Sequence, residues 1–163
     1  MLRMIRILAI VVSLGSLVQP AKADTVGVTA TEIKIGNINP YSGPASVYST
    51  IGKGLSAYFK MVNDQGGING RKINFISYDD GYSPPKTVEM ARRLVEEDHV
   101  ALLFQVLGSA PNGAIQRYMN RAKVPQLFVS SSASKWNDPK NFPWTTGFQP
   151  NSFSEGRIYA AYV

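Results

Sequence analysis

Between residues 32 and 38 apolar and polar positions alternate, Ile33 and Ile35 against Glu32 and Lys34, and the run continues through Gly36-Asn37-Ile38 into Asn39-Pro40. A period of two predicts a short strand over about 32 to 38 that ends in a loop. The period then changes. Ile51, Leu55, Tyr58, Phe59 and Val62 recur at helical spacing and mark the inner face of a helix, which Gly66-Gly67 ends before a turn at Asn69-Gly70. Lys72 to Tyr78 (KINFISY) is rich in β-forming residues and predicts a second strand, closed by Asp79-Asp80-Gly81. Ser83 stands as an N-cap before Pro84, and Val88, Ala91 and Val95 share one face of the helix that follows. On its surface Glu89 and Arg93 are four apart and form a pair. Val100 to Phe104 is a continuous apolar run, the pattern of a strand covered on both faces. Ala114, Ile115, Tyr118, Met119 and Ala122 make a third helical stripe, and Pro125 to Val129 (PQLFV) a fourth strand. Phe142 to Phe148 holds a further short strand, and the chain from Asn151 onward reads as helix.

Strand and helix thus alternate with short connections, which predicts an α/β fold built on a doubly wound parallel sheet. In such a sheet ligands sit outside the carboxyl ends of the strands, where loops and helix N-termini gather. That rule selects Asn39 to Tyr48, Asp79 to Pro85, Gln105 to Pro111 and Ser130 to Trp136. Within them Tyr41-Ser42-Gly43-Pro44, Leu107-Gly108-Ser109-Ala110-Pro111 and Ser130-Ser131-Ser132-Ala133-Ser134 collect hydroxyls, small residues and backbone donors on one edge. Hydroxyls and free N–H groups at a helix start suit a carboxylate, because the helix dipole favours negative charge there. Ser109 opens the third helix, so it is either a ligand contact or simply an N-cap, and the serine run is either a binding element or a plain loop.

The first residues carry an export pattern. Arg3 and Arg6 are followed by an apolar run from Ile7 to Val18, and Ala21-Lys22-Ala23 has the small-x-small form of a cleavage site. Pro20 and Lys22 directly after the run argue against a membrane helix, which needs about 20 apolar residues. Residues 1–23 are therefore expected to be a signal peptide, with Asp24 as the mature start. The chain has no cysteine, which excludes a disulfide framework, a thiolate metal site and a lipid-modified cysteine. Removing Arg3, Arg6 and Lys22 lowers the formal charge of +6 by three. The remainder is too mild, and too free of Lys/Arg runs, for a nucleic-acid surface. The sequence stops at Tyr162-Val163 inside the last helix, which leads to the expectation of a fragment, with residues 24–163 as one lobe.

These elements and their order resemble the type I periplasmic binding proteins, in particular the branched-chain amino-acid binding family of ABC transporters. The resemblance runs through Ile33-Lys34-Ile35-Gly36, Ser42-Gly43-Pro44, Asn63 to Gly70 (NDQGGING), Tyr78-Asp79-Asp80, Leu107-Gly108-Ser109 and Val124-Pro125. It implies a two-lobed, monomeric, periplasmic protein that closes on a small-molecule solute and delivers it to an inner-membrane ABC permease, and of which this sequence holds the first lobe. It also implies the contacts. The family's serine after the third strand falls on Ser109, and its small-x-Thr/Ser element after the fourth falls on Ser132 with Ser134, or, if the loop is longer, on Ser130 and Ser131. A family aromatic after Ser-Gly-Pro falls on Tyr48, which is either a wall for the ligand's side chain or the first buried residue of the helix. Trp136 would adjust the size of the side-chain pocket, and Lys135-Trp136-Asn137-Asp138-Pro139 departs from the amino-acid-specific members, which leaves amides, aromatic acids and other carboxylates open as ligands.

Enzymatic readings lack parts. His99 is the one histidine, at the end of the acidic run Glu96-Glu97-Asp98, where it is expected to meet the helix C-terminus, and with no cysteine a transition-metal site is not expected. Asp79 and Asp80 lie at the cleft edge, but Gly81 behind them favours a turn-closing role over acid–base work. Gly52-Lys53-Gly54 lacks the rest of a P-loop, and Gly108 to Gly113 has the wrong spacing for a dinucleotide fingerprint, so no cofactor is expected. The same fold also serves ligand-sensing receptors and regulators, and an inactive truncated product is a further alternative.

Overall fold

The structure is a computed structural model and describes residues 25–163; the expected signal peptide lies outside them. Five strands, β1 (Glu32–Asn39), β2 (Lys72–Asp79), β3 (Leu102–Phe104), β4 (Gln126–Val129) and β5 (Thr145–Gly147), form one sheet in the order β2-β1-β3-β4-β5. Every pairing is parallel. Glu32 to Asn39 run opposite Lys72 to Asp79, Ile35 faces Leu102, Leu103 faces Gln126, and Gln126 faces Thr145. The helices are α1 (Ser49–Asp64), α2 (Pro84–Arg92), α3 (Ser109–Ala122) and α4 (Ser152–Tyr162). The strand order reverses direction between β1 and β3, so the doubly wound expectation holds.

One face of the sheet is closed by α2 and α3. Ile38, Leu94, Leu103, Val106, Ile115 and Met119 are buried there as a single cluster. Gly36 lets the cluster close tightly over β1, because a Cβ on it would stand 2.7 Å from a Leu103 methyl and force that side chain to shift. On the other face α1 packs Phe59 over Ile35 and Ile73. Phe59 stacks on Phe75 and Phe104, with ring centroids 5.1 and 5.9 Å away. Tyr58, expected on the inner face of α1, is instead 56% exposed, and Gly52 and Ser49 are buried in its place.

Other expectations shift in detail. α2 passes at Arg93 into a π-helical turn over Arg93–Glu97, a form that single-period reading does not anticipate. Val100 then uses its amide to reach the Leu94 carbonyl, so the strand expected from residue 100 starts at Leu102. Arg93 pairs with Glu97 at 3.7 Å and lies over the Tyr78 ring, rather than pairing with Glu89. Tyr118 on α3 donates to Glu96 at 2.8 Å, and burial together with that carboxylate pushes its phenol up to about 12. His99 follows the turn with a left-handed φ of 55°. Ser83 does occupy the N-cap of α2, with Pro84 and Pro85 behind it, but its hydroxyl makes no cap bond and Thr87 fills the turn by donating to the Ser83 carbonyl. Among the described residues no helix is long and apolar enough to cross a membrane.

Candidate ligand-binding cleft

The carboxyl ends of all five strands open into one cleft of about 560 Å³. Pro44, Ala45 and Tyr48 come from the loop after β1, Tyr82 from the loop after β2, and Leu107 to Ser109 from the loop after β3. Ser130 to Ser132 follow β4, and Gln149 follows β5. Four of the residues expected from the sequence to serve as site residues around the serine run and its neighbours, Ser109, Ser130, Ser131 and Ser132, therefore share one wall, with Tyr48 opposite.

Each position has a local cause. Gly108, not Ser109, is the N-cap of α3, with φ at 95°, and the Ser109 hydroxyl makes no cap bond. The cap reading of Ser109 is corrected: it is the first helical residue, and it lines the cleft instead. Asn112, fully buried one turn on, holds this corner by donating to the carbonyls of Val106 and Gly108, both at 2.7 Å, and accepts from Gln126 at 2.7 Å. Pro111 has no N–H, and among the described residues no acceptor takes the amides of Ser109 and Ala110. Two free N–H groups and a hydroxyl at a helix start make a site for negative charge.

The serine run is no plain loop. Ser130 and Ser131 are 7% and 8% exposed, and the Ser130 carbonyl accepts from Gly108 while its amide donates to Val106. Ser131 Oγ sits 2.7 Å from Ser109 Oγ and accepts from the Trp136 indole at 2.8 Å and from the Ala133 amide at 3.3 Å. Ser132 bonds the Ser152 hydroxyl at 2.9 Å and so ties the wall to the start of α4. Two expectations move. Ser134 is exposed in a short 3-10 turn outside the cleft lining, and Trp136, 1% exposed, lies behind the wall rather than in the pocket.

Tyr48 is 53% exposed, so it is not the first buried residue of α1, and its ring is free to form a wall of the cleft. Tyr82 was not singled out by the sequence, although its loop was. It has a left-handed φ of 63°, held by its amide donating to Asp80 at 2.8 Å, and its ring lies so close to Gly108 that a Cβ there would stand 2.4 Å away. Gly108 is thus needed twice, for its backbone angle and for the ring above it. A tyrosine beside an Asp-Asp-Gly turn carries no periodic signal that would have marked it. Gln149 and Ala45 were missed for the same reason.

The two acids at the rim are structural. Asp79 Oδ1 accepts the amides of Tyr41, Ser42 and Gly81 at 2.8, 3.1 and 3.0 Å. Burial works to raise its carboxyl, but the Ser42 hydroxyl and these amides outweigh it and hold the group below its ordinary value. Asp80, 1% exposed, accepts from Thr87 at 2.7 Å. Both fasten cleft loops together, in line with the turn-closing reading. Among the described residues no cluster of three or more His, Cys, Asp or Glu could hold a metal ion.

The strand-end loops of this α/β lobe thus all meet at one cleft lined by neutral donors. The chain belongs to the periplasmic binding protein family, whose profile matches residues 32–160, and its parallel sheet with flanking helices is the type I fold of its structural neighbours. It is 28% identical over 110 residues to Leu/Ile/Val-binding protein homolog 7 of Brucella suis, covering 67% of this chain and 27% of that protein. A possible leucine/isoleucine/valine-binding protein from Rhodopirellula baltica has the same fold, with a TM-score of 0.73 at 21% identity over 85% of this chain and 37% of that one. A solute binding protein of an ABC transporter from Rhodopseudomonas palustris, solved with 3,4-dihydroxy benzoic acid, is similar at 28% identity and a TM-score of 0.53, covering 59% and 26%. The chain spans about a quarter of the length of the curated relatives it matches.

Proposed function

We propose that this chain supplies the first ligand-binding lobe of an exported solute-binding subunit of an ABC importer, and that the cleft holds the carboxylate of a small amino acid, amide or aromatic acid. The observation that carries the reading is the α3 start: Ser109 hydroxyl, two free amides and the ordered serines Ser130 to Ser132 converge at the sheet's switch point. Donors without a competing positive side chain bind a carboxylate by charge-assisted hydrogen bonds and leave the rest of the ligand to the Tyr48 and Tyr82 rings. A second lobe closing over the cleft supplies the remaining wall and a partner for any amino group, and the protein works as a monomer with its permease. Relatives named for branched-chain amino acids and a neighbour that holds a dihydroxybenzoic acid both support a carboxylate as the shared feature of the ligand.

The test is calorimetric titration of the full-length protein with branched-chain, aromatic and amide solutes. Ser109→Ala is expected to weaken carboxylate binding by about 1.5–3 kcal/mol, the range for a hydrogen bond to a charged group, with thermal stability retained. Unchanged affinity with lowered stability would remove Ser109 from the site. Export is tested separately, by N-terminal sequencing of the secreted product, which is expected to begin at Asp24; a product beginning at Met1 and held in the membrane would end the signal-peptide reading.

A further inference from the structure

Ser131 and Ser109 face each other at 2.7 Å, and distance alone leaves open which one donates. The surroundings decide it. A hydroxyl has one proton and two lone pairs. Ser131 Oγ receives the Trp136 indole N–H at 2.8 Å and the Ala133 amide at 3.3 Å, and neither of these groups can accept. Both lone pairs are occupied, so the Ser131 proton goes to its remaining neighbour, Ser109 Oγ. Ser109 cannot return a proton along that line, and its own O–H turns toward the cleft, beside the free amides of Ser109 and Ala110.

We propose that Trp136 is a positioning residue that acts through Ser131 to fix Ser109 as a hydrogen-bond donor to the ligand. The one-way chain from indole to Ser131 to Ser109 leaves the Ser109 proton aimed into the cleft, which suits a carboxylate oxygen and favours it over a group that must itself donate at that point, such as a carboxamide NH2. Aligned hydrogen bonds also polarise one another, so the last donor in the chain is the stronger for it. Trp136 gains from the same arrangement: an indole N–H at 1% exposure needs a buried acceptor, and Ser131 is that acceptor. Phenylalanine would keep an aromatic ring in most of the space, remove the N–H, and leave Ser131 free to turn its proton elsewhere. The inference rests on the carboxylate reading of the cleft.

The experiment measures the affinity of the full-length protein for L-leucine against L-leucinamide, and benzoate against benzamide, in the unmodified chain and in Trp136→Phe, Ser131→Ala and Ser109→Ala. Trp136→Phe is expected to weaken carboxylate binding by ~3- to 10-fold while the amides change little, so that the preference for carboxylate shrinks. Combined with Ser109→Ala it should add nothing. A preference left intact in Trp136→Phe, or an equal loss in the Ser109→Ala background, overturns the relay while the carboxylate reading stands if Ser109→Ala alone abolishes the preference. Ser131→Ala, which leaves the indole in place, is expected to give the same loss of preference and serves if Trp136→Phe does not fold. Should no probe bind, the functional reading fails instead, and neutron diffraction of the deuterated protein still judges the relay: a Ser131 O–D bond pointing at Ser109 Oγ supports it, and a Ser109 O–D bond pointing at Ser131 Oγ ends it.

Discussion

The two faces of the sheet are finished to different degrees. On the α2/α3 side the cluster around Leu103, Ile115 and Met119 has no solvent exposure, and two helices close it from both directions. On the α1 side cover ends with Phe59. Beyond it a row of edge-to-face rings runs from Phe104 to Phe128 to Phe148, at centroid spacings of 5.6 and 6.1 Å, and the last two are 43% and 60% exposed. The helix α4 that follows buries none of its residues, although Phe153, Ile158 and Tyr159 are on it. Burial stabilises in proportion to apolar area removed from water, so the first face carries most of the stability of this lobe, while the second adds aromatic pair contacts that remain half solvated. The cleft belongs to neither face. It lies at the edge common to both and is held by polar contacts, Asn112 to Gln126, Asp79 to the β1 loop and Asp80 to Thr87.

Truncating one apolar side chain on each face tests this difference most severely. Ile115→Ala is expected to cost about 2–5 kcal/mol, because it opens a cavity in the closed cluster. Phe148→Ala should cost only about 0.5–1 kcal/mol, one exposed aromatic contact. Denaturant unfolding of both variants measures the pair, and equal losses would mean that the open face is covered in solution. A smaller effect sharpens the contrast with the polar edge. Asp79 has its carboxyl held below the ordinary value, so its contribution is complete above the ordinary carboxylate range near pH ~4 and fades as pH falls through the lower folded value. Asp79→Asn should therefore leave thermal midpoints at neutral pH slightly lowered and flatten their decline in acid, whereas Phe148→Ala should shift every midpoint alike. A midpoint profile in acid that matches the unmodified chain would show that the Asp79 contacts to Tyr41 and Ser42 do not contribute.

The periodic parts of this chain were legible without a structure. Alternation at Ile33 and Ile35, the run KINFISY and the stripe of Ile115 and Met119 specify strands and helices because each sequence period matches the geometry of its own element. The rule that ligands gather at strand ends selected the loops, and the family resemblance picked Ser109, Ser130, Ser131, Ser132, Ser134, Tyr48 and Trp136 on them; all but Ser134 and Trp136 line the cleft. Elsewhere local pattern and outcome diverge. Ser109 reads equally as a cap or a ligand contact, and the positive φ of Gly108, which takes the cap position, decides against the cap. The π turn after α2 shortens β3, and nothing periodic marks it. Tyr82 and Trp136 show the limit most clearly. Whether a tyrosine lies across a glycine two strands away, or an indole faces into a cleft or stands behind its wall, depends on contacts between residues distant in the chain. Sequence alone determined which segments reach the cleft edge, because element period and strand order are local or nearly so. Tertiary structure alone decided which side chains on those segments meet, because that depends on the close approach of loops from separate strands and on where each buried donor, such as the Trp136 N–H, finds its acceptor.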